Sequence, residues 1–459
     1  MDFLQRVSQT IWELDNDDTY NDLIVLGQTY PSTKTGVESE ECDSNTQGVF
    51  NQLFHKGSPW NPDFLLDVQS ILYFTYRTRF EPIPKDRGGP SPMNFGTLFR
   101  DNPLNAIENA INHPDCFCSD IGWGCMIRTG QTLLANALQR VKLGRSYRIH
   151  TDEELLDVGE LELISWFEDN RRAPFSLHKF VEKGLLLSGK TPGEWFGPSA
   201  ASRSIQSLVH EYPNSGINHC IISTDSADVY EEDVQPIFEN DPNAKVLLLL
   251  GVKLGLNNVN EFYWQSIKNI LGSKQSVGIS GGRPSSSLYF FGFQDDYLFY
   301  LDPHTAQLDL SAYASNVEKH RSVHSAKFNK VHLSELDPSM LIGILIQGSK
   351  DWDDWKSQVE KSQIIHVWPK RQQEFYMDED VESLHSTEAK DALIGGDYVE
   401  VAPIIQQAGS SKDDEFQDVQ CKNQNIVVVG EFDNSATDME VENVLVEQET
   451  VPIQETASF

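Results

Sequence analysis

The sequence has few basic residues compared with its acidic ones, and this shortage excludes several classes of ligand. Its 36 lysines and arginines are outnumbered by 69 aspartates and glutamates, which gives a formal net charge of -33 at pH 7 over 459 residues. A chain this acidic repels nucleic acid and anionic lipid. We therefore expect no nucleic-acid ligand, and neutral or basic protein surfaces as partners.

Cysteines and long apolar runs are also scarce. Six cysteines in a chain of this length do not make a dense disulfide framework. The most apolar runs, 246–252 and 340–346, are far shorter than a membrane span and suit buried strands. The sequence Met-Asp-Phe-Leu-Gln at the start lacks the basic and then apolar pattern of a secretion signal. These features predict a protein of the reducing cytosol.

Composition divides the chain into three parts. Residues 1–58 are predicted to be a mobile arm, in which the apolar segment 20–27 lies as a strand against the main body or across its cleft. Residues 59–370 are predicted to be the folded domain. Residues 371–459 carry 4 basic and 21 acidic side chains, a net charge of 4 minus 21, or -17. They are predicted to be a mostly disordered tail.

Apolar spacing predicts helices in the first half of the domain and strands in the second. A helix is expected from residue 62, another over 257–271 and a last one over 352–364. Short β-branched and aromatic runs predict strands at 220–223, 245–252, 276–280, 287–293, 297–301 and 339–346. Helices followed by a run of strands indicate an α+β or a mixed α/β body, and we predict the α+β class.

One cysteine stands where a loop becomes a helix. Residues 119–130 read Ser-Asp-Ile-Gly-Trp-Gly-Cys-Met-Ile-Arg-Thr-Gly. The helix is predicted to end near Gly144, and its apolar stripe consists of Ile127, Leu134, Leu138 and Val141. Cys125 then lies in the first helical turn, where free N–H groups and the helix dipole favour a thiolate. A buried structural cysteine is the alternative interpretation.

A second motif supplies a base. Asp302-Pro303-His304 ends a predicted strand, and in extended chain the first and third residues point to the same side. A carboxylate can thus orient an imidazole, and with Cys125 this gives the three parts of cysteine-based acyl transfer. Taken alone, Asp-Pro-His is more typical of a surface turn, and it gains weight only together with the Cys125 motif.

A metal site is the competing interpretation of the cysteine-rich segment. Four soft ligands fall within thirteen residues: His113, Cys116, Cys118 and Cys125. However, Cys-x-Cys with one distant partner is poor zinc spacing. We therefore predict neither a metal nor another cofactor.

Four motifs in order resemble one known family. They are Gly-Trp-Gly-Cys-Met-Ile-Arg at 122–128, Gly-Glu-Trp-Phe-Gly-Pro at 193–198, Gly-Gly-Arg-Pro-Ser-Ser-Ser at 281–287 and Leu-Asp-Pro-His at 301–304. Together they resemble the autophagins, the autophagy cysteine endopeptidases, and most closely their yeast branch. The resemblance implies a papain-like core, with a nucleophile helix packed on a sheet that carries the base, and a small auxiliary subdomain.

The resemblance also assigns roles to residues. It makes Cys125 the nucleophile, His304 the general base and then acid, and Asp302 the residue that holds the imidazole. Tyr76 matches the family tyrosine that assists the oxyanion, although it also suits an ordinary half-buried position. Two lips are implied to cover the substrate's glycine tail, and they consist of Trp195 on one side and Gly281, Gly282, Arg283 and Pro284 on the other.

The function implied is cleavage of a ubiquitin-like autophagy modifier after its C-terminal glycine. This matures the precursor and releases the modifier from phosphatidylethanolamine, in support of autophagosome formation. The implied protein is a monomer of the cytoplasm and also the nucleus, recruited to autophagic membranes and touching them only through the lipidated substrate. The alternative is a non-catalytic adaptor that binds the modifier through its tail.

A short motif in the tail predicts binding of the modifier, whether the protein is a protease or an adaptor. Tyr398-Val-Glu-Val401 resembles the motif by which autophagy proteins add a strand to the modifier's sheet edge, and 416–419 is a weaker copy. Tyr398 and Val401 would fill two pockets. A chance pattern in a long disordered tail is the alternative.

Overall fold

The structure is a computed structural model, and it describes residues 18, 20–32, 60–92, 112–150, 155–224, 226–282 and 286–371. The elements of the amino-terminal half are β1 (Leu23–Val25), β2 (Gln28–Tyr30), α1 (Pro62–Gln69), β3 (Arg77–Pro84), β4 (Cys116–Ser119), α2 (Cys125–Leu143), α3 (Val158–Ser165), α4 (Leu177–Ser188) and α5 (Pro198–Glu211). Those that follow are β5 (His219–Ser223), β6 (Asp228–Tyr230), α6 (Glu231–Asn240), β7 (Lys245–Lys253), α7 (Trp264–Gly272), β8 (Ser276–Gly281), β9 (Leu288–Gln294), β10 (Tyr297–Leu301), β11 (Gln307–Leu308), α8 (Asn316–Arg321), β12 (Asn329–His332), β13 (Ser339–Gln347), α9 (Ser349–Val359) and β14 (His366–Trp368).

A nine-stranded sheet forms the centre of the described structure. Its order is β12-β10-β9-β8-β13-β7-β5, with β1 paired to β9 and β2 to β1. Only β5 and β7 run parallel within it. Successive residues of β7 face opposite sides: Leu247 and Leu249 belong to one hydrophobic core, Leu248 and Leu250 to the other. Both faces of the sheet are therefore covered, which explains why β7 and β13 are almost continuously apolar.

Helix α2 runs through the middle of the helical layer rather than along its surface. It packs on β8 and β9 and against α3, α4 and α5, and every residue from Cys125 to Arg140 is buried. Its polar side chains bind backbone groups of distant segments, as Asn136 does at Leu72. The prediction of a single apolar stripe was therefore too narrow, whereas the helix ends at Gly144 as predicted.

The apolar segment 20–27 adopts the strand alternative and lies against the main body. Strand β1 pairs with β9, so that Ile24 lies opposite Phe293 and Val25 opposite Gly292. A side chain at Gly292 would collide with the Ile24 carbonyl, so the close approach of the two strands requires glycine there. The boundaries of the predicted arm, domain and tail stay predictions.

The α+β, papain-like class is confirmed, with differences at element ends. Helix α7 begins later than predicted, because the Asn260 side chain caps a short 3-10 turn at Glu261–Tyr263 before it. Helix α9 begins three residues early, after Gly348, and ends at Val359. Two smaller sheets complete the fold: β11-β3-β4, and β14 paired with β6. In the described part of the chain no helix combines the length and apolarity needed to span a bilayer.

Candidate active site

Cys125 is the first residue of α2 and is fully buried. The preceding loop is closed by the Asp120 carbonyl, which accepts the N–H groups of Trp123 at 3.2 Å and Gly124 at 2.9 Å. Gly122 has a φ of 88°, a left-handed conformation that glycine adopts without strain. The predicted position of Cys125 at a helix N-terminus is confirmed, and its backbone N–H belongs to the first turn, where such groups have no partner within the helix.

Asp302 and His304 lie directly after β10 and form an orienting pair. The Asp302 carboxylate accepts the His304 backbone N–H at 3.0 Å and also binds Nδ1 of the imidazole. Burial by itself would raise the pKa of Asp302, but these hydrogen bonds from His304 hold that pKa below its usual range. Because an ionised carboxylate only accepts, Nδ1 carries a proton, and Nε2 is left as the atom for proton transfer.

Two buried polar atoms converge on the Cys125 thiol. Neither His304 Nε2 nor the Tyr76 hydroxyl has a hydrogen-bond partner among the described residues. The Tyr76 side chain packs with Cys125, and its ring meets the His304 ring edge-on with centroids 5.4 Å apart. Burial and the neighbouring Cys125 and Asp120 raise the pKa of Tyr76, so it stays a neutral donor. The site thus holds a proton-transfer atom and a free hydroxyl beside one sulfur.

The His304 imidazole is stabilised in its charged form. Burial opposes protonation, but the Asp302 hydrogen bond and the neighbouring Cys125 together raise the pKa of His304 to about 9. At neutral pH the imidazole is therefore held in its protonated form beside the Cys125 thiol, which is the arrangement that activates a cysteine nucleophile.

Trp195 covers the thiol. Its indole Nε1 donates to Cys125 Sγ at 3.3 Å, and the ring is only partly buried. Cys125 is fully buried, and Trp195 is one of the side chains that cover it.

The other predicted lip is described in part. Gly281 ends β8 and Gly282 follows it with a φ of 137°, while Arg283 and Pro284 lie outside the described residues. At the far end of this loop, the Ser287 side chain lies against α2, with Ser287 Oγ 2.8 Å from Thr129 Oγ1. The pairing of this loop with Trp195 stays a prediction. Tyr398 and Val401 also lie outside the described residues.

A buried ionic network fixes the nucleophile loop, and the sequence analysis missed it. The fully buried Arg128 pairs with Asp120 at 2.7 Å and with Asp169 at 2.9 Å. Asp120 also accepts the Arg77 backbone N–H at 2.6 Å, next to Tyr76. A side chain at Gly124 would collide with the Asp120 carboxylate. Asp120 and Arg128 both lie in the quoted segment 119–130, whereas nothing in the sequence pointed to Asp169.

The segment before Tyr76 holds the Asp302–His304 turn in place. The Tyr73 hydroxyl donates to the Asp302 carbonyl, and the Tyr76 backbone N–H donates to the Pro303 carbonyl at 2.8 Å. Tyr73 is a further positioning residue that the sequence analysis did not predict, since nothing in its local pattern distinguishes it from a core tyrosine.

The structure does not bring together the cysteine-rich ligand set considered above. In the parts of the chain that are described, the one group of three or more His, Cys, Asp or Glu side chains close enough to share an ion contains none of His113, Cys116, Cys118 and Cys125. Burial also raises the pKa of the Cys118 thiol to about 11, which disfavours the thiolate that a metal requires.

Tyr76→Phe is expected to lower turnover about a hundredfold with little change in KM or thermal stability. Phenylalanine keeps the packing of the ring against Cys125 and Ile121, and the change removes only the hydroxyl beside the thiol. Steady-state kinetics with the exposed Tyr297→Phe as control tests this. Unchanged turnover in Tyr76→Phe would return Tyr76 to a packing role.

Comparison with known proteins agrees with this geometry. The profile of the peptidase C54 catalytic domain matches residues 61–358. A probable cysteine protease ATG4 from Eremothecium gossypii is 53% identical, covering 99% of this chain and 89% of the relative. The cysteine protease ATG4 of Saccharomyces cerevisiae S288c is 48% identical, covering 99% and 97%. A probable cysteine protease ATG4 from Kluyveromyces lactis is 47% identical, covering 97% and 99%.

Proposed function

The chain belongs to the peptidase C54 family of cysteine proteases, and we propose that it cleaves a ubiquitin-like autophagy modifier after the modifier's C-terminal glycine. In this proposal the same site matures the precursor and releases the modifier from phosphatidylethanolamine. The observation that carries it is the convergence of His304 Nε2 and the Tyr76 hydroxyl on the sulfur of Cys125.

The residues divide the reaction between them. The Cys125 thiolate attacks the glycine carbonyl, and the Cys125 backbone N–H and the Tyr76 hydroxyl stabilise the oxyanion. The imidazolium of His304 gives its proton to the leaving amine as the C–N bond breaks. His304 then takes a proton from water, which attacks the thioester and releases the glycine carboxylate and the thiol. Asp302 keeps the imidazole in the tautomer that both transfers need.

The leaving group is an amine in both reactions. In the precursor it is the amino group of the following residue, and in the lipid conjugate it is the ethanolamine nitrogen. Because the groups described above act on the carbonyl and on the departing nitrogen, they require nothing specific beyond that atom. One site can therefore serve both substrates, and contact with a membrane needs only the lipidated substrate.

Changing the modifier's terminal glycine to alanine is expected to reduce cleavage by on the order of a hundredfold. If Trp195 covers the substrate tail, a methyl group there collides with the indole and displaces the carbonyl from Sγ by about 1 Å, enough for such a loss. Trp195→Ala should slow cleavage of the glycine substrate. It should also reduce the ratio of the cleavage rate of the glycine substrate to that of the alanine substrate. The ratio is measured by single-turnover kinetics, and near-equal rates with the unmodified protein would place the lips elsewhere.

The tail motif is proposed as a second contact with the modifier. Replacing both Tyr398 and Val401 by alanine is expected to weaken binding while leaving peptide-bond cleavage intact, because neither belongs to the site around Cys125. Calorimetry with the free modifier measures this, and an unchanged affinity would remove the motif. We propose further that the protein acts as a monomer in the cytoplasm and nucleus and is recruited to autophagic membranes.

Mass spectrometry of a glycine-extended modifier incubated with the protein tests the proposal. We expect loss of the residues after the glycine and a product that ends in the glycine carboxylate. A modifier that stays intact but binds would favour the adaptor alternative instead.

A further inference from the structure

A buried polar cluster on the helical side of the molecule takes no part in the mechanism above. It consists of Glu160 on α3, His320 on α8 and His324 just beyond α8. Their ligand atoms all lie within 4.8 Å of one another, and no other such group occurs among residues 18–371 as far as they are described. The Glu160 side chain is fully buried, and each imidazole is 6% exposed.

The tautomer of His324 is set by its outer hydrogen bond. His324 Nδ1 lies 2.9 Å from the Gln69 carbonyl oxygen, which only accepts, so Nδ1 carries a proton. In the neutral ring Nε2 then presents a lone pair. This nitrogen is buried, has no hydrogen-bond partner among the described residues and lies 3.5 Å from Glu160 Oε1. The ring nitrogen and the carboxylate oxygen thus face each other across a gap that a cation bridges, either a proton on the ring or a metal ion.

Two of the three side chains, His324 and Glu160, have outer partners of the kind found in metal sites. A ligating histidine commonly donates its other N–H to a backbone carbonyl, as His324 does to Gln69. The Glu160 carboxylate is oriented by the Tyr147 hydroxyl at 2.6 Å and the Gln139 amide at 3.1 Å.

The spacing of the inner atoms fits a small tetrahedral ion. Zinc with ligands at about 2.0 Å requires donor atoms about 3.3 Å apart. His320 Nε2 lies 2.8 Å from Glu160 Oε2 and His324 Nε2 lies 3.5 Å from Glu160 Oε1, on either side of that value. The three ligand atoms, one from each residue, all lie within 4.8 Å of one another, so small shifts of the side chains would complete the site. Two imidazoles and one carboxylate are a common zinc ligand set, with the fourth position left to water.

We propose that Glu160, His320 and His324 bind a divalent transition-metal ion, with Zn²⁺ as the expected ion. This departs from the sequence analysis, which predicted no metal. In the sequence the two histidines are four residues apart, but the carboxylate is 160 residues away, so the local pattern gave no signal.

The ion would join α3 to the segment that supports the catalytic turn. Between the two histidines, the Ser322 carbonyl accepts from the Arg77 guanidinium at 3.0 Å, and the Val323 carbonyl accepts the Tyr73 backbone N–H at 2.8 Å. Tyr73 in turn contacts Asp302. Metal binding is therefore expected to stabilise the folded domain.

Metal titration in a Cys125→Ala background tests the site without interference from the catalytic thiol. After chelation and gel filtration, we expect one equivalent of Zn²⁺ or Co²⁺ per chain. The Co²⁺ form should show visible bands of a tetrahedral centre without a sulfur-to-cobalt charge-transfer band. Zn²⁺ at a hundred times its Kd should raise Tm by about 5 °C.

Matched variants locate the ion. His324→Gln and Glu160→Gln, each added to the Cys125→Ala protein, should lower affinity at least about a hundredfold, whereas the exposed His210→Gln should leave it unchanged. Absence of stoichiometric binding to the Cys125→Ala protein overturns the proposal, whether or not the variants fold. Equal binding in a folded His324→Gln or Glu160→Gln protein also overturns it.

Discussion

Cys125→Ala is expected to abolish cleavage, lowering kcat/KM by about a millionfold, while the protein stays folded. The thiolate is the only group at this position that can attack the carbonyl. Its side chain is small and packs against Tyr76 and Ile121 without a bond that the fold depends on. Cleavage of the glycine-extended modifier, followed by gel electrophoresis, measures the loss, and circular dichroism checks the fold.

The neighbouring cysteines supply matched controls for this variant. Cys116→Ser and Cys118→Ser are expected to stay active, because both lie on β4 rather than at the start of α2. Burial raises the pKa of Cys118 to about 11, so it is a poor nucleophile at neutral pH. Turnover by a folded Cys125→Ala protein would refute the assignment of the nucleophile.

Asp302→Asn is expected to lower kcat/KM by about 10⁴-fold and to change its pH profile. The reactive pair needs a protonated His304, so activity should fall as pH rises through the His304 pKa of about 9. Asp302 raises that pKa, and its neutral replacement therefore moves the alkaline limb to lower pH, toward the unperturbed imidazole value of about 6.5. The pH dependence of kcat/KM, which reports the free enzyme, measures the shift.

The profile separates an electrostatic role of Asp302 from a purely structural one. If Asp302 only held the turn through its bond to the His304 backbone N–H, its loss would lower activity at every pH and leave the limb in place. A limb near pH 9 in a folded, weakly active Asp302→Asn protein would contradict the account. The exposed Asp353→Asn serves as control, since it lies on α9, outside the site.

Local sequence was enough to predict the parts of the site that depend on neighbours in the chain. Cys125 follows a loop and begins a helix, and His304 is two residues from the Asp302 carboxylate. In each motif the relative positions of the functional groups therefore follow from residues that are close in sequence. The pairing of Arg128 with Asp169 could not be predicted in this way, because 41 residues separate them and tertiary packing brings them together.

The same limit applies to the fold. Most strands of the main sheet were predictable from their apolar and β-branched runs, and the end of α2 from Gly144. Strand β12 was not predicted, because its residues Asn329–His332 are mostly polar. The full burial of α2 was not, because its polar residues are satisfied by distant backbone groups and look like a solvent face in the sequence. Tyr73 was missed for the same reason, since its partner Asp302 is 229 residues away.

The most direct test of the account uses a modifier in which the carboxyl group of the C-terminal glycine is replaced by an α,β-unsaturated methyl ester, a Michael acceptor whose alkene lies where the scissile carbonyl would be. A thiolate adds to this group to form a stable thioether, so the attacking atom becomes permanently marked. Intact mass spectrometry and peptide mapping should show one adduct per chain, on Cys125, which is lost in Cys125→Ala and slowed in Asp302→Asn. An adduct on Cys116 or Cys118, or no adduct with the unmodified protein, would contradict it.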